Sequence, residues 1–429
     1  MRLIKVSIFI LLLTSLPLHA ALEIKITQGI GNAMPIAIAP FVVSGSGKPP
    51  QVVDEIIKAD LKRSGRFKPM ESSEFPQQDV TAESMRLRLW REKGIDYLVV
   101  GSVREEAPGF YKVKFQLFDS GGVKQLAGYT IPADKASLRM AAHQASDLIY
   151  EAILGIRGAF NTRVAYITSG QRGGKKRYVM QIADSDGYNS RTILNSPKPL
   201  MSPAWSPDNK KIAFVSFEGN RSGVYVQDVL TGQRVKVSAR KGINGAPSWS
   251  PDGSRLAVTL SNNGNPDIYV IDLGSKKASR LTRDSAIDTE PVWMPDGQSL
   301  IFTSDRSGKP QLYKVSASGG SAQRVTYEGD YNSAPTVSAD GKKVAMVSGE
   351  RGKFRIAVLD MTSGETRVLT DGRLDESPSF APNGSMIIYA TKEGGRSVLA
   401  AVSEDGSVRQ TLTLKGGEVQ EPDWSGFLN

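Results

Sequence analysis

Cysteine is absent from the 429 residues and histidine occurs only twice, at His19 and His143. The first absence excludes disulfides, thiolate nucleophiles, cysteine metal sites and a lipid-modified N-terminal cysteine. The second leaves almost nothing for histidine-based triads or Cys/His zinc centres. No G-x-S-x-G turn occurs, so the usual strained serine nucleophile of a hydrolase is also missing. Long apolar runs are missing too, apart from Val6 to Leu18. Arg2 and Lys5 precede that run and Leu18-His19-Ala20 offers a small residue for cleavage, so residues 1–20 read as a secretory signal peptide, too short and wrongly flanked for a membrane span. A soluble periplasmic chain without a transmembrane segment is expected. Its single remaining histidine, His143, falls just off the apolar stripe of a helix and reads as solvated.

Two further lures fail on their spacing. Gly45-Ser46-Gly47-Lys48 resembles a phosphate loop, but Val42 stands where the first glycine belongs and a proline follows the lysine. Asp184-Ser185-Asp186-Gly187 resembles a calcium loop, but Ile182 and Ile193 occupy its first and last ligand positions. Both read as ordinary turns. The formal charge is +10, or +8 without Arg2 and Lys5. Its densest cluster is Arg172, Lys175, Lys176 and Arg177 in one hairpin. Nucleic-acid binding does not suit a secreted chain, so this tip reads as solvated or as a contact for an acidic partner or anionic envelope surface.

What is present is a repeat. Segments beginning at Pro203, Pro247, Pro291, Pro335, Pro378 and Pro422 follow the pattern P-x-W-S-P-D-G, spaced 44, 44, 44, 43 and 44 residues apart. A period in the low forties with only strand and turn signals indicates a β-propeller of four-stranded blades. In the repeat from Pro247, a short apolar strand leads to the Pro251-Asp252-Gly253 turn. Arg255–Ser261 alternates as a strand, Asp267–Leu273 forms a third and Ala278–Thr282 a fourth. The aromatic residues Trp205, Trp249, Trp293, Phe380 and Trp424 recur in all but one anchor, which favours packing between blades over ligand stacking. The sixth anchor ends near Asn429 with no strands behind it. Arg163–Ser169, Arg177–Asp184 and Arg191–Leu194 supply them, so the C-terminal strand is expected to close a six-bladed ring.

Ahead of the ring the pattern is mixed α/β: a strand at Met34–Val43, a helix at Gln51–Arg63, and a second helix capped by Thr81 and running to Gly94. Strands at Ile95–Arg104, Phe110–Asp119 and Val123–Ile131 follow, then a helix from about Ala133 to Ile153. The fold class is therefore two-domain: an N-terminal mixed α/β domain at residues 34–158, then a C-terminal six-bladed β-propeller at 159–429. Residues 21–33 alternate Leu22, Ile24 and Ile26 before two glycines. They read either as the first strand of the α/β domain or as a detachable strand able to join a partner's sheet edge. Loops entering successive blades should gather around one channel mouth. They bring Met201 and Ser202, then Asn244, Gly245 and Ala246, then Asp288, Thr289 and Glu290, then Asn332, Ser333 and Ala334, then Asp375, Glu376 and Ser377, and finally Gln420 and Glu421, a ring of small and acidic residues suited to protein docking.

The signal peptide, the small domain with its opening strand and the anchors together resemble the TolB family of the Tol-Pal system. The segments carrying the resemblance include Asn244-Gly245-Ala246-Pro247, Thr289-Glu290-Pro291 and Met34–Phe41. The fourth anchor departs from the pattern, with Val337 and Ala339 in place of the aromatic and the proline. The resemblance implies a monomeric, non-enzymatic periplasmic scaffold without a cofactor. The mouth would bind the lipoprotein Pal, with Ala246, Thr289 and Glu290 at the family's contact positions and Asn244, Gly245, Asp288, Asn332, Ser333, Glu376 and Glu421 beside them. The 21–33 strand, through Leu22, Glu23, Ile24, Lys25, Ile26 and Thr27, would bind the C-terminal domain of TolA. It also implies roles in outer-membrane integrity and constriction at division, with colicins and other outer-membrane proteins as further users of the mouth. A carboxylate-held calcium in the channel stays open. The alternative from another class is a lactonase-like periplasmic hydrolase using a channel metal.

Overall fold

The computed structural model describes residues 22–28, 31, 33–122, 124–261, 264–414 and 417–428, so the expected signal peptide lies outside the described residues. In chain order the first part contains β1 (Leu22–Gln28), β2 (Met34–Ile38), β3 (Val42–Ser44), α1 (Val53–Arg63) and β4 (Phe67–Pro69). It continues with α2 (Leu87–Glu92), β5 (Tyr97–Ala107), β6 (Phe110–Asp119), β7 (Lys124–Asp134) and α3 (Leu138–Leu154). The α/β sheet has the order β4-β2-β5-β6-β7, with β3 pairing β5 beyond the end of β2. The single strand expected over 34–43 is thus two, separated at Ala39–Phe41, where Pro40 has no N–H to give a ladder.

The helices α1 and α3 cover one face of this sheet. Ile57 and Leu61 on α1 and Leu138 and Ile149 on α3 meet Val113, Phe115 and Leu117 of β6 in one core. The other face is closed by α2, whose Trp90 is fully buried and packs edge-on to Phe75 at 5.0 Å. The helix expected from Thr81 shrinks to α2 because Thr81 and Ser84 bond each other: the Thr81 amide donates to Ser84 Oγ at 3.0 Å and the Ser84 amide to Thr81 Oγ1 at 3.2 Å. Such local bonds hold a turn in place of a helix. Similarly, α3 starts later than expected because Asp134 Oδ1 accepts the amides of Ala136 and Ser137 at 2.9 and 2.7 Å. It ends where Gly155 takes φ +75°.

The propeller has six blades, numbered here from the first anchor. Inner strands run Leu200–Trp205, Asn244–Trp249, Asp288–Trp293, Tyr331–Val337, Glu376–Phe380 and Glu418–Trp424. The last belongs to the closing blade with β8 (Arg163–Arg172), β9 (Lys175–Asp184) and β10 (Arg191–Ser196). Register there runs from Glu418 opposite Ser169 to Trp424 opposite Val164, so the two ends of the ring share one sheet. Trp205, Trp249, Trp293 and Phe380 are buried between blades, as repetition implied. Trp249 Nε1 also donates to the Ala204 carbonyl of the preceding blade at 3.0 Å.

Among the described residues β1 does not join the α/β sheet, which corrects the reading of residues 21–33 as that domain's first strand. It pairs antiparallel with Arg409–Leu414, the outer strand of blade 5, from Leu22 opposite Leu414 to Ile26 opposite Gln410. Among the described residues its far edge ends the five-stranded sheet that runs from β1 to Glu376–Phe380. A strand able to lie on one sheet edge has the backbone donors and acceptors to lie on another.

Candidate functional site

Each inner strand carries the same irregularity at its anchor proline. Register shifts fall between Met201 and Ala204, Gly245 and Ser248, Thr289 and Val292, Ser333 and Thr336, Glu376 and Ser379, and Gln420 and Asp423. At each bulge the residue before the proline is left-handed: Ser202, Ala246, Glu290, Ala334, Ser377 and Glu421 have φ between +46° and +54°. None is glycine, and such a conformation costs about 1–3 kcal/mol each. The bulge re-aims these residues at the propeller axis. With their prolines and Asp423 they enclose a cavity of about 180 Å³. The α/β domain packs against the opposite end of the ring, where Arg63, Arg66 and Tyr150 face the turns after the fourth and fifth anchors across a cleft of about 340 Å³. The ring of pre-proline residues is therefore the mouth at the end away from the α/β domain.

Two glutamates stand on opposite sides of this ring. Glu290 Oε2 accepts the hydroxyl of Thr303 and the amide of Ala334 in the next blade, both at 2.8 Å. Its own amide donates to Thr259 Oγ1 at 3.2 Å. Glu421 repeats the motif across the closing seam, accepting the amide of Ser202 in blade 1. Just below it, Asp423 accepts the Trp205 amide at 2.7 Å and the Ser379 hydroxyl at 2.9 Å. Desolvation pushes Glu421 up to about 7, helped by the charge of Glu376, and pushes Asp423 up to about 6. The carboxylates thus tie neighbouring blades together while presenting acidic oxygens to the channel.

The structure divides the residues named from the sequence. Ala246, Glu290 and Glu421 line the mouth, and Gly245, Thr289 and Glu376 adjoin it on the same strands. Asn244, Asp288 and Asn332 do not face outward, because their side chains clamp the entering loops from inside. Asn244 Oδ1 accepts the Ser238 hydroxyl at 2.7 Å and the Arg240 amide at 2.9 Å. Asp288 is fully buried and pairs with Arg306 at 2.9 Å. Asn332 donates to Gln311 Oε1 at 3.0 Å and to the Glu328 carbonyl at 2.7 Å. Ser333 is buried as well. Ser202, Ala334 and Ser377, which the sequence also brought to the mouth, line it too, each at the position before an anchor proline. Sequence reasoning missed Asp423 as a channel residue, and its one signal is that it is the only acid at the second anchor position.

Of the strand residues named for a partner, Leu22 through Thr27 lie in β1 with their backbones paired to blade 5. Thr27 Oγ1 also donates to the Arg409 carbonyl at 3.2 Å. His143 is not solvated as expected: it is 1% exposed, buried where α3 meets α1 and the β9–β10 turn. Among the described residues no helix is long and apolar enough to cross a membrane.

Comparison with known proteins adds to this geometry. Residues 150–428 match the TolB beta propeller domain and residues 22–126 the TolB amino-terminal domain. The chain is 62% identical over 424 residues to the Tol-Pal system protein TolB of Thioalkalivibrio sulfidiphilus, with 98% of each chain covered. It is 60% identical over 417 residues to the protein of the same name from Methylococcus capsulatus, covering 97% of each. The crystal structure of TolB from Acinetobacter baumannii superposes with a TM-score of 0.88 at 42% identity, covering 94% of this chain and 100% of that one.

Proposed function

The chain belongs to the TolB family, a component of the Tol-Pal system, and on that footing we propose that it is a non-catalytic periplasmic adaptor with two docking sites. The mouth of the propeller receives Pal, and β1 engages the C-terminal domain of TolA. Together these contacts would couple the outer membrane to the inner-membrane machinery, sustaining envelope integrity and constriction at division. The observation that carries the reading is the ring of left-handed pre-proline residues. These six strained residues converge on one cavity, and convergence of strained backbone at one place supports a docking site there. The ring offers a partner small, close-approach surfaces at Ser202, Ala246, Ala334 and Ser377. Glu290 and Glu421 add oriented acceptors between them. What supports the second site is β1, which pairs through its backbone at one edge and, among the described residues, has no strand on the other, where a partner strand could be added.

A channel-metal hydrolase is less well supported. Its metal would need several converging carboxylates with free lone pairs, whereas Glu421 and Asp423 are engaged by amides of blade 1. A carboxylate-held calcium there would compete with those same bonds.

Titration calorimetry with purified Pal and with the TolA C-terminal domain tests both sites. Glu290→Lys places a cation in the ring and is expected to weaken Pal binding more than about tenfold while circular dichroism is unchanged. Removing residues 22–33 should abolish TolA binding and leave Pal binding intact. Pal affinity unaffected by both Glu290→Lys and Ala246→Phe moves the first site off the mouth. TolA binding retained by a folded truncation removes the second site from β1.

A further inference from the structure

Charged groups from several elements converge where the α/β domain sits on the closing blade. Asp60 and Arg63 come from α1, Arg139, His143 and Asp147 from α3, Asp184 from the end of β9 and Asp186 from the turn between β9 and β10. Arg163 on β8 lies 4.0 Å from Asp184, and Arg191 on β10 also faces that carboxylate. His143 is the only one of these groups placed between carboxylates of both domains. Its Nδ1 is 2.7 Å from Asp60 Oδ2, and its Nε2 is 3.7 Å from Asp186 Oδ2. Arg63 Nε meets Asp60 Oδ1 at 3.1 Å and its Nη2 donates to Ser185 Oγ of the propeller at 2.9 Å. Arg139 pairs with Asp186 and lies 4.1 Å over the Tyr188 ring.

Three residues with metal-ligating side chains meet here, yet the arrangement does not suit a metal. Both carboxylates already hold guanidinium groups, which would repel a cation. A proton fits better. A neutral imidazole that donates from Nδ1 to Asp60 turns the lone pair of Nε2 toward the Asp186 carboxylate. Two acceptors would then face each other in a buried place, and Nε2 has no hydrogen-bond partner of its own. With both nitrogens protonated, the ring attracts a carboxylate on each side.

We propose that His143 is a protonatable joint between the two domains, its imidazolium bridging Asp60 of the α/β domain and Asp186 of the propeller. Losing that proton loosens the seating of the α/β domain on the closing blade. Desolvation pulls the imidazole down, but the charge and hydrogen bond of Asp60, joined by the charge of Asp186, outweigh it, and His143 is raised above its ordinary 6.5. A raised histidine stabilises the joint fully below 6.5 and loses that contribution as pH climbs through the raised value. Asp147, one turn further along α3, is pushed up to about 7 by burial and accepts the Phe160 amide at 2.7 Å, and burial raises Asp184 too. Both carboxylates act in the same direction, so the histidine must be separated from them by substitution.

The composition makes the test clean. With His143→Gln as the assignment control, the imidazole carbon-bound proton of His143 is followed by NMR from pH 5 to 9. A midpoint above 6.5 that falls in Asp186→Asn is expected, and a midpoint at or below 6.5 in the unsubstituted chain overturns the proposal. Because no cysteine is present, Glu74→Cys and Gln233→Cys place spin labels at one exposed site in each domain. The interdomain distance distribution should broaden as pH passes that midpoint. A response should persist in the Asp147→Asn/Asp184→Asn chain, which silences the two neighbouring carboxylates, and adding Asp186→Asn or His143→Gln to that chain should remove it. Equal widths at all pH values in the Asp147→Asn/Asp184→Asn chain, or a response that survives there after Asp186→Asn is added, also overturn the proposal.

Discussion

Trp249 in the propeller and Trp90 in the α/β domain are both buried, yet the structures around them depend on them differently. Trp249 fills one of a series of equivalent wedges between blades and ties its blade to the last through the Ala204 carbonyl. Trp90 is the centre of a single cluster with Ala39, Phe75, Leu87 and Leu98, and nothing repeats it. The propeller spreads its stability over many similar contacts whose sum depends on closure, whereas the domain concentrates its stability in unique ones. A ring of this kind should fail at its seam, and a small α/β domain should fail at its core.

The sharpest break is a chain ending at Val419. It loses most of the inner strand of the closing blade, with Trp424 and the Ser425–Leu428 tail that bonds Asn161 and Arg163. The propeller transition should disappear or fall steeply in scanning calorimetry, and an unchanged melting temperature would mean that closure contributes little. Trp90→Ala comes next, with a loss of about 3–5 kcal/mol confined to the α/β domain. A low-temperature transition should split away from that of the propeller, and a single merged transition would show the two regions to be one cooperative unit.

The smallest effect concerns pH. Glu421 and Asp423 are raised to about 7 and about 6, so their contribution is complete below the ordinary carboxylate range and is lost as pH rises through those values. Glu421→Gln should flatten the decline of propeller melting temperature between pH 5 and 8, leaving any decline of the α/β domain in place. If the propeller slope is unchanged, the carboxylate does not titrate in this window. His143 acts in the same direction from the other domain, and the pair of substitutions assigns each slope to its region.

The blades were legible because each is built by short-range signals: Pro-Asp-Gly turns, alternating strands and one aromatic at a fixed place. Repetition confirmed each signal by the next, and the missing strands of the sixth blade pointed to those after residue 163. The α/β domain was legible only in outline. Pro40, the Thr81–Ser84 turn and the Asp134 loop each moved an element boundary through a local hydrogen-bonding choice that hydrophobic periodicity does not record. At the mouth the entering loops were found, but the facing of their side chains was not. Asn244, Asp288 and Asn332 are the polar residues that look most like contacts, and they are consumed inside.

By itself, then, the sequence determined the number of blades, the closure of the ring by its two ends and the position of the mouth, since these depend on contacts between neighbours or on a fixed period. The tertiary structure decided what depends on distant surfaces meeting. The bulges set φ before each anchor proline and chose which residues face the channel. Strand β1 passed over its own domain for blade 5, about 390 residues away in the chain, because an open sheet edge accepts any strand of fitting register. His143 lost its solvent only when the domain was seated, because the carboxylate that faces its Nε2 is on the propeller.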